Sequence, residues 1–191
     1  MEKGRMEAFS DGVIAVIITI MVLEMKAPLG SHLRDLHPLL PIFVGYLLSY
    51  IYVGIYWNNH HHLLHATERV SGRVLWANLH LLFWLSLVPF ATAWMGNTRF
   101  ARWPVAAYGC VLMAAAIAYW ILVQALLRLH STHSVLRDAI GRDRKGKLSV
   151  LVYAIAIPLA LGWPWAGCAG YALVAAVWLV PDRRIENKLI A

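Results

Sequence analysis

The sequence predicts an all-α membrane protein with six transmembrane helices in each subunit. Of its 191 residues, 60% are hydrophobic and 14% are charged. Six helices of roughly 20 residues, the length that crosses a hydrocarbon core about 30 Å thick, would use about 120 residues. That number is close to the hydrophobic share of the chain. The composition argues against a disordered chain, a disulfide-stapled secreted domain and an ordinary soluble enzyme.

Hydropathy gives six candidate spans in order along the chain. They run from Ala8 to Met25, Pro38 to Trp57, Val74 to Trp94, Pro104 to Leu127, Leu148 to Trp163 and Trp165 to Val180. The last two spans form one apolar stretch that is interrupted at Gly162, Trp163 and Pro164. Hydropathy alone is therefore compatible with either two short helices or one very long helix at this position.

The basic residues distinguish these two topologies. With six spans, 13 of the 17 lysines and arginines fall on the side that holds both termini. A five-span arrangement weakens this division to 10 against 7. The positive-inside rule therefore favours six spans with both termini in the cytoplasm. No internal repeat or linker is evident, so residues 1–191 are predicted to form a single transmembrane domain.

The net charge of +7 is spread over short loops, so it favours solvated loops at a membrane over a nucleic-acid site. Cys110 and Cys168 both lie within predicted spans, without disulfide or zinc spacing. The sequence has no nucleophile elbow, no HExxH motif and no glycine-rich phosphate loop. We therefore expect no enzyme activity, no resident metal and no cofactor.

The first span contains a carboxylate in a segment that should face hydrocarbon. Asp11 lies about one helical turn inside the cytoplasmic boundary, and Thr19 is the one polar residue from Val13 to Leu23. Arg5 is six positions from Asp11, so the two side chains lie about 120° apart around a helix. Because a charged group in the bilayer must be paired or hydrated, each is expected to contact a neighbouring helix.

The second and third spans offer such partners at the same membrane depth. The second span ends in a polar segment that contains three consecutive histidines, and the third carries Asn78 and His80 near its cytoplasmic start. A buried hydrogen-bond network that fixes the packing of three helices is the predicted arrangement. His61 and His65, at positions i and i+4, are also compatible with a metal pair or a proton-sensing site.

The motif RxxxFSD, formed by Arg5 to Asp11, opens the first span. This segment resembles the bacterial and archaeal relatives of the endolysosomal potassium channel called transmembrane protein 175. The resemblance extends to Tyr56-Trp57 with Asn59-His60-His61, to Asn78 through Leu82, and to Pro89-Phe90-Ala91-Thr92. It covers roughly the first half of the chain well, whereas the second half is similar mainly in hydropathy.

The resemblance implies a homotetramer in which the first helix of each subunit lines a central pore. The sequence has no TVGYG-like filter segment, and family members place constriction and selectivity on side chains of the first helix. Carried over to this chain, those positions are Val16, Thr19, Ile20 and Leu23. Val16 is shorter than the Ile or Leu associated with the family at this position.

The predicted function is passive flux of potassium through this pore. Rings of Val16 or Leu23 would close the path by dewetting, and four Thr19 hydroxyls would replace part of the hydration shell of the ion. In this reading the following residues form a structural polar network that holds the helices in register: Arg5, Phe9, Ser10, Asp11, Trp57, Asn59, His60, His61 and Asn78. We expect a multi-pass protein of a prokaryotic cell membrane, with K+ or other monovalent cations as the permeating ions.

Other functions remain open at this stage. A proton channel, or a proton-coupled or metal-ion transporter, would use Asp11 and the histidine cluster as a relay or binding site. A membrane-embedded enzyme would use the same histidines catalytically.

Overall fold

The computed structural model describes residues 3–67, 69–129 and 144–179, and all regular secondary structure within these ranges is helical. A 3-10 helix, Leu33–Leu39, leads directly into the second α-helix. The α-helices are α1 (Lys3–Leu23), α2 (Leu40–His65), α3 (Gly72–Ser86), α4 (Val88–Asn97), α5 (Arg102–Leu129), α6 (Arg144–Gly162) and α7 (Pro164–Leu179).

Five helical segments in the described residues are long and apolar enough to cross a membrane. They are Lys3–Leu23, Leu33–His65, Gly72–Asn97, Arg102–Leu129 and Lys145–Gly162. Helix α7 is apolar but shorter, with 16 residues. An all-helical membrane protein with five to six apolar helices is therefore the observed fold class. The structure differs from the prediction at α2, which continues past Trp57 through the histidines to His65.

A proline divides the third span into α3 and α4. Pro89 stands at the start of α4 and has no N–H to donate to a carbonyl one turn earlier, so the helix is interrupted at Leu87. Helix α4 then packs closely on α2. A Cβ placed on Gly96 would lie 2.8 Å from the Cα of Ile42, so this approach requires glycine.

Helices α6 and α7 form an antiparallel hairpin around Trp163. A Cβ on Gly167 would lie 2.6 Å from the Cβ of Ala160, and a Cβ on Gly170 would lie 2.7 Å from that of Ala156. Positions further along α7 thus meet positions earlier on α6. The apolar stretch that begins near Leu148 is two packed helices and not one long helix.

Helix α5 separates two apolar cores. One core lies mainly among α1, α2, α3 and α5 and includes the buried side chains of Ile17, Leu81 and Leu122. The second lies among α2, α4, α5, α6 and α7 and contains the buried rings of Tyr153 and Tyr171. Helix α1 packs against α2, α3 and α4, whereas α6 and α7 pack on α5 at the other side of the subunit.

Candidate functional site

Helix α1 has one face that packs on its own subunit. Its buried residues recur every three or four positions, the spacing that brings side chains to one side of an α-helix. They are Met6, Ser10, Ile14, Ile17 and Met21. Ser10 is fully buried, and its hydroxyl donates a 2.8 Å hydrogen bond to the carbonyl of Met6. The serine is thereby accommodated within an apolar surface.

The four residues predicted to line a pore lie on an exposed face of α1. The side chains of Val16, Ile20 and Leu23 are 54%, 42% and 75% exposed in the single subunit, and Thr19 is exposed beside them. The Thr19 hydroxyl donates a 2.8 Å hydrogen bond to the carbonyl of Val16. Because the hydroxyl proton is used in this way, the oxygen lone pairs remain available to accept from water or to contact a cation.

A buried chain of hydrogen bonds joins α1, α3 and α2. The side-chain nitrogen of Asn78 donates to the Ser10 hydroxyl over 2.8 Å, and the ring Nε2 of His60 lies 2.7 Å from the Asn78 oxygen. All three side chains are at most 2% exposed. Since the asparagine oxygen can only accept, Nε2 carries the proton of a neutral His60. The remaining ring atom, Nδ1, is buried without a hydrogen-bond partner.

A second set of contacts joins the first half of α1 to the last turns of α2. The Trp57 indole donates to Asp11 over 3.1 Å, and one turn further along, His61 Nδ1 lies 3.4 Å from a Glu7 carboxylate oxygen. The His61 and Glu7 side chains are 45% and 26% exposed. Asp11 therefore points towards α2 and away from the exposed row that contains Val16.

The same register continues for one more turn. The Lys3 ammonium donates to the backbone carbonyl of His65 over 3.2 Å. The rings of Trp57, His61 and His65 are stacked along α2, with centroids 6.2 Å apart at each step. Sequence reasoning did not include Lys3 or Glu7. The sequence did contain a signal for them. Lys3 and Glu7 precede Asp11 at intervals of four residues, and His61 and His65 follow Trp57 at the same interval, so two antiparallel helices can pair them turn by turn.

Asn59 lies outside these contacts with α1. Its side-chain nitrogen donates to the carbonyl of Ile55, and its own carbonyl accepts from the Tyr119 hydroxyl on α5. At 100° per residue, Asn59 is about 200° from Trp57 around α2. The residue therefore faces α5 although its neighbours in sequence face α1 and α3.

Three further residues considered from the sequence do not join the buried chain. Arg5 is exposed, and Phe9 is 55% exposed beside the groove described next. His80 accepts a 3.0 Å hydrogen bond from the indole of Trp84, one turn along the same helix. Within residues 3–67, 69–129 and 144–179, no group of three or more His, Cys, Asp or Glu side chains is arranged to hold a metal ion.

A groove runs along α1 where it meets the junction of α3 and α4. Its volume is about 800 Å³. Phe9, Val16 and Ile20 line one wall, and Pro89 and Phe90 line the other. The exposed row of α1 is thus continuous with an apolar groove wide enough to receive further side chains.

Comparison with known proteins shows which family this chain resembles. The family model described as endosomal/lysosomal potassium channel TMEM175 matches residues 5–89, a range that includes every pore and network residue predicted from the sequence. A potassium channel of Chryseobacterium sp. (strain P1-3) is 53% identical over 99% of this chain and 98% of its own. The chain belongs to the TMEM175 family. Its predicted resemblance is therefore confirmed.

Two further TMEM175 proteins extend the comparison. The crystal structure of a lysosomal potassium-selective channel TMEM175 homologue from Chamaesiphon minutus superposes with a TM-score of 0.80 at 28% identity. The match covers 94% of this chain and 97% of that one. The human endosomal/lysosomal proton channel TMEM175 is 32% identical over 54% of this chain, which spans 23% of the human protein. These relatives carry the names of ion channels.

Proposed function

We propose that this protein is a potassium-permeable cation channel. In this proposal four subunits assemble around a central pore, and α1 of each subunit lines it. The observation that carries the proposal is the exposed row of α1, Val16, Thr19, Ile20 and Leu23, in a chain 53% identical to a protein named a potassium channel. Flux through such a pore is passive and needs no cofactor, with K+ as the permeating ion.

The side chains of the exposed row suit an ion path with apolar constrictions. Rings of four Leu23 or Val16 side chains would bring apolar atoms together, and a narrow apolar ring resists filling by water. The Thr19 ring between them would offer oxygen atoms, because each hydroxyl proton already bonds a backbone carbonyl. We assign constriction to Val16, Ile20 and Leu23, and cation contact to Thr19.

Assembly would cover the apolar face that a single subunit leaves open. The groove beside Phe9 and Phe90 is about 800 Å³ in volume and continues into the pore-facing row. A second copy of α1 is the occupant that fits its apolar walls. In this arrangement Phe9 packs between subunits. The exposed guanidinium of Arg5 is one turn before Phe9 and reaches a neighbouring subunit or lipid phosphate.

The polar contacts of α1 would hold this helix in register. The chain Ser10–Asn78–His60 and the contacts of Asp11 and His61 tie α1 to α2 and α3 on the side away from the pore. We place both termini in the cytoplasm of a prokaryotic cell, with the channel in the cell membrane. The distribution of 13 basic residues against 4 supports this orientation.

Proton conduction is the second candidate function. The observation in its favour is the name of the human relative, a proton channel, together with the buried His60 and the stacked His61 and His65 rings near α1. Protons would then follow these side chains or the same pore.

Flux into liposomes tests the proposal. Purified protein is reconstituted in vesicles with an outward K+ gradient, and K+ and H+ movements are measured with separate ionophore controls. Wild type is expected to release K+. Leu23→Ser, which makes the apolar ring easier to hydrate, is expected to raise K+ flux, and Thr19→Ala is expected to change the ratio of K+ to Na+ flux.

Val22→Ser is the matched control, because Val22 is an exposed aliphatic residue on the same turn about 100° from Leu23. Its flux and selectivity should resemble wild type. The absence of K+ flux in wild type, or identical behaviour of all variants, would contradict the proposal. Proton flux without K+ flux would favour the second candidate.

A further inference from the structure

A second cavity lies on the other side of the subunit from the exposed row of α1. It is bounded by α2, α5, α6 and the end of α7 and has a volume of about 460 Å³. This volume is within the range of about 300–1,000 Å³ that is typical of small-molecule sites. None of the residues assigned above to the pore row lines it.

The walls of this cavity are mostly apolar and aromatic. Ile55, Ala116, Ile117, Trp120 and Val150 contribute to them. Ile117 and Trp120 are 40% and 50% exposed, so the cavity is bordered by apolar side chains on the outer surface of α5. Since α5 is a membrane-spanning candidate, we expect that surface to meet hydrocarbon. The natural neighbour of this opening is a lipid chain.

Three polar side chains in the wall, those of Ser149, Trp178 and Asn59, are already bonded within the protein. The Ser149 hydroxyl donates to the carbonyl of Lys145 and accepts from the indole N–H of Trp178, both over 2.8 Å. The side-chain nitrogen of Asn59 donates to the carbonyl of Ile55. A largely apolar wall in which these three side chains are satisfied suits hydrocarbon better than a strongly polar ligand.

One end of the cavity is positively charged. Lys147 lines it and is exposed, and the Lys145 ammonium lies 5.9 Å from the centroid of the Trp178 ring. No carboxylate is among the described residues that line the cavity. Both lysines belong to the first turn of α6, so they lie at the end of this span, where lipid headgroups are found. Basic pockets between membrane helices attract anionic headgroups.

From these observations we propose that the cavity binds an anionic phospholipid. One acyl chain lies between α2, α5 and α6 against the aromatic wall, and the phosphate contacts the Lys147 ammonium at the start of α6. The apolar interior of the cavity is the reason for proposing an acyl chain there, and the lysine at its mouth is the reason for proposing an anionic headgroup. The site is independent of the pore assignment, because it uses a different face of the subunit.

Native mass spectrometry of the purified full-length protein tests this proposal. The protein is mixed with phosphatidylglycerol or with phosphatidylcholine of identical acyl chains, and retained lipid is counted per subunit. Wild type is expected to retain phosphatidylglycerol in preference. Lys147→Gln should weaken this retention about fivefold, the factor expected for one lysine near an anionic surface. Ala116→Phe, which fills the cavity, should abolish it.

Matched controls separate the site from general effects. Lys26→Gln removes an exposed lysine beyond the end of α1, and Ala154→Phe adds a ring at an exposed position of α6 outside the cavity. Both should bind phosphatidylglycerol like wild type. Thermal unfolding in detergent monitors the fold of each variant. Should Ala116→Phe be unfolded, the exposed Lys147→Gln decides the question by itself.

Three results would overturn the proposal. They are equal retention of the two lipids by wild type, equal behaviour of Lys147→Gln and Lys26→Gln, and undiminished retention by a folded Ala116→Phe. Because retention is measured without ion flux, these results are distinct from a failure of the channel proposal.

Discussion

Asn78 lies at the centre of the buried polar chain that connects three helices. Its amide nitrogen donates to Ser10 on α1, and its oxygen lies 2.7 Å from Nε2 of His60 on α2. Both groups of one amide are therefore used, each towards a different helix. A residue that bonds two buried partners contributes to specificity as well as to stability, because its loss leaves the ring of His60 without a hydrogen bond and removes one of the two bonds of the Ser10 hydroxyl.

Replacement of Asn78 by alanine is expected to lower the free energy of unfolding by about 1–3 kcal/mol, the range for a buried polar group that loses its partner. Unfolding in detergent, followed by circular dichroism, measures this loss. Asn58→Ala is the control, because Asn58 is exposed on α2; its stability should be close to that of wild type. Equal stability of the two variants would contradict the role assigned to the buried chain.

For individual residues, the sequence predicted which polar side chains would be buried better than it predicted their hydrogen-bond partners. Asn78, His60 and Ser10 were identifiable because polar groups in a membrane span must find partners. Asn59 was grouped with them by proximity in sequence, yet its position around α2 directs it to Tyr119 on α5. Glu7 was overlooked because the motif does not indicate its partner. Its contact with His61 becomes evident only when α1 and α2 are aligned as antiparallel helices.

The hairpin of α6 and α7 depends on small residues at the contact between the two helices. Gly167 and Gly170 face Ala160 and Ala156, and an added Cβ would lie within 2.7 Å of the alanine Cβ atoms. Two helices can approach this closely only where side chains are nearly absent, as in other small-residue contacts between membrane helices. This contact fixes the short α7 against α6, and hydrogen bonds of Tyr171 with Tyr52 and Val105 tie it to α2 and α5.

Gly167→Ala is expected to separate the two helices and to destabilise the protein by about 1–3 kcal/mol, as overpacking of a close contact does. Gly162→Ala is the matched control, because a Cβ at Gly162 meets nothing within 4 Å. Thermal unfolding of the two variants in the same detergent gives the comparison. Gly162→Ala losing as much stability as Gly167→Ala would show that the close contact is not the cause.

The ends of the helices were less predictable than the positions of the apolar segments. Hydropathy ended the second span at Trp57, but α2 continues to His65 because its polar turns are bonded to α1 and α3. Hydropathy reports how much of a helix is apolar, and tertiary contacts decide how far the helix itself extends. The division at Gly162 and Pro164 was visible in the sequence, since proline starts a helix well but cannot continue one.

At the scale of the whole molecule, the subunit leaves an apolar row of α1 uncovered. Almost every position from Val13 to Leu23 is apolar, so the sequence pattern alone could not select the face that packs on the subunit. The structure selects it by burying Ile14 and Ile17 and exposing Val16. The proposed tetramer assigns the exposed face to the pore and the groove beside it to a neighbouring subunit.

Chemical modification of single cysteines tests this assignment most directly. Leu23→Cys and Val22→Cys are made in a background with Cys110→Ala and Cys168→Ala, and K+ flux from liposomes is recorded before and after a positively charged methanethiosulfonate is added. Intact mass gives the extent of labelling. We expect labelled Leu23→Cys to lose most of its K+ flux and Val22→Cys to retain it. Undiminished flux through fully labelled Leu23→Cys would contradict a pore lined by α1.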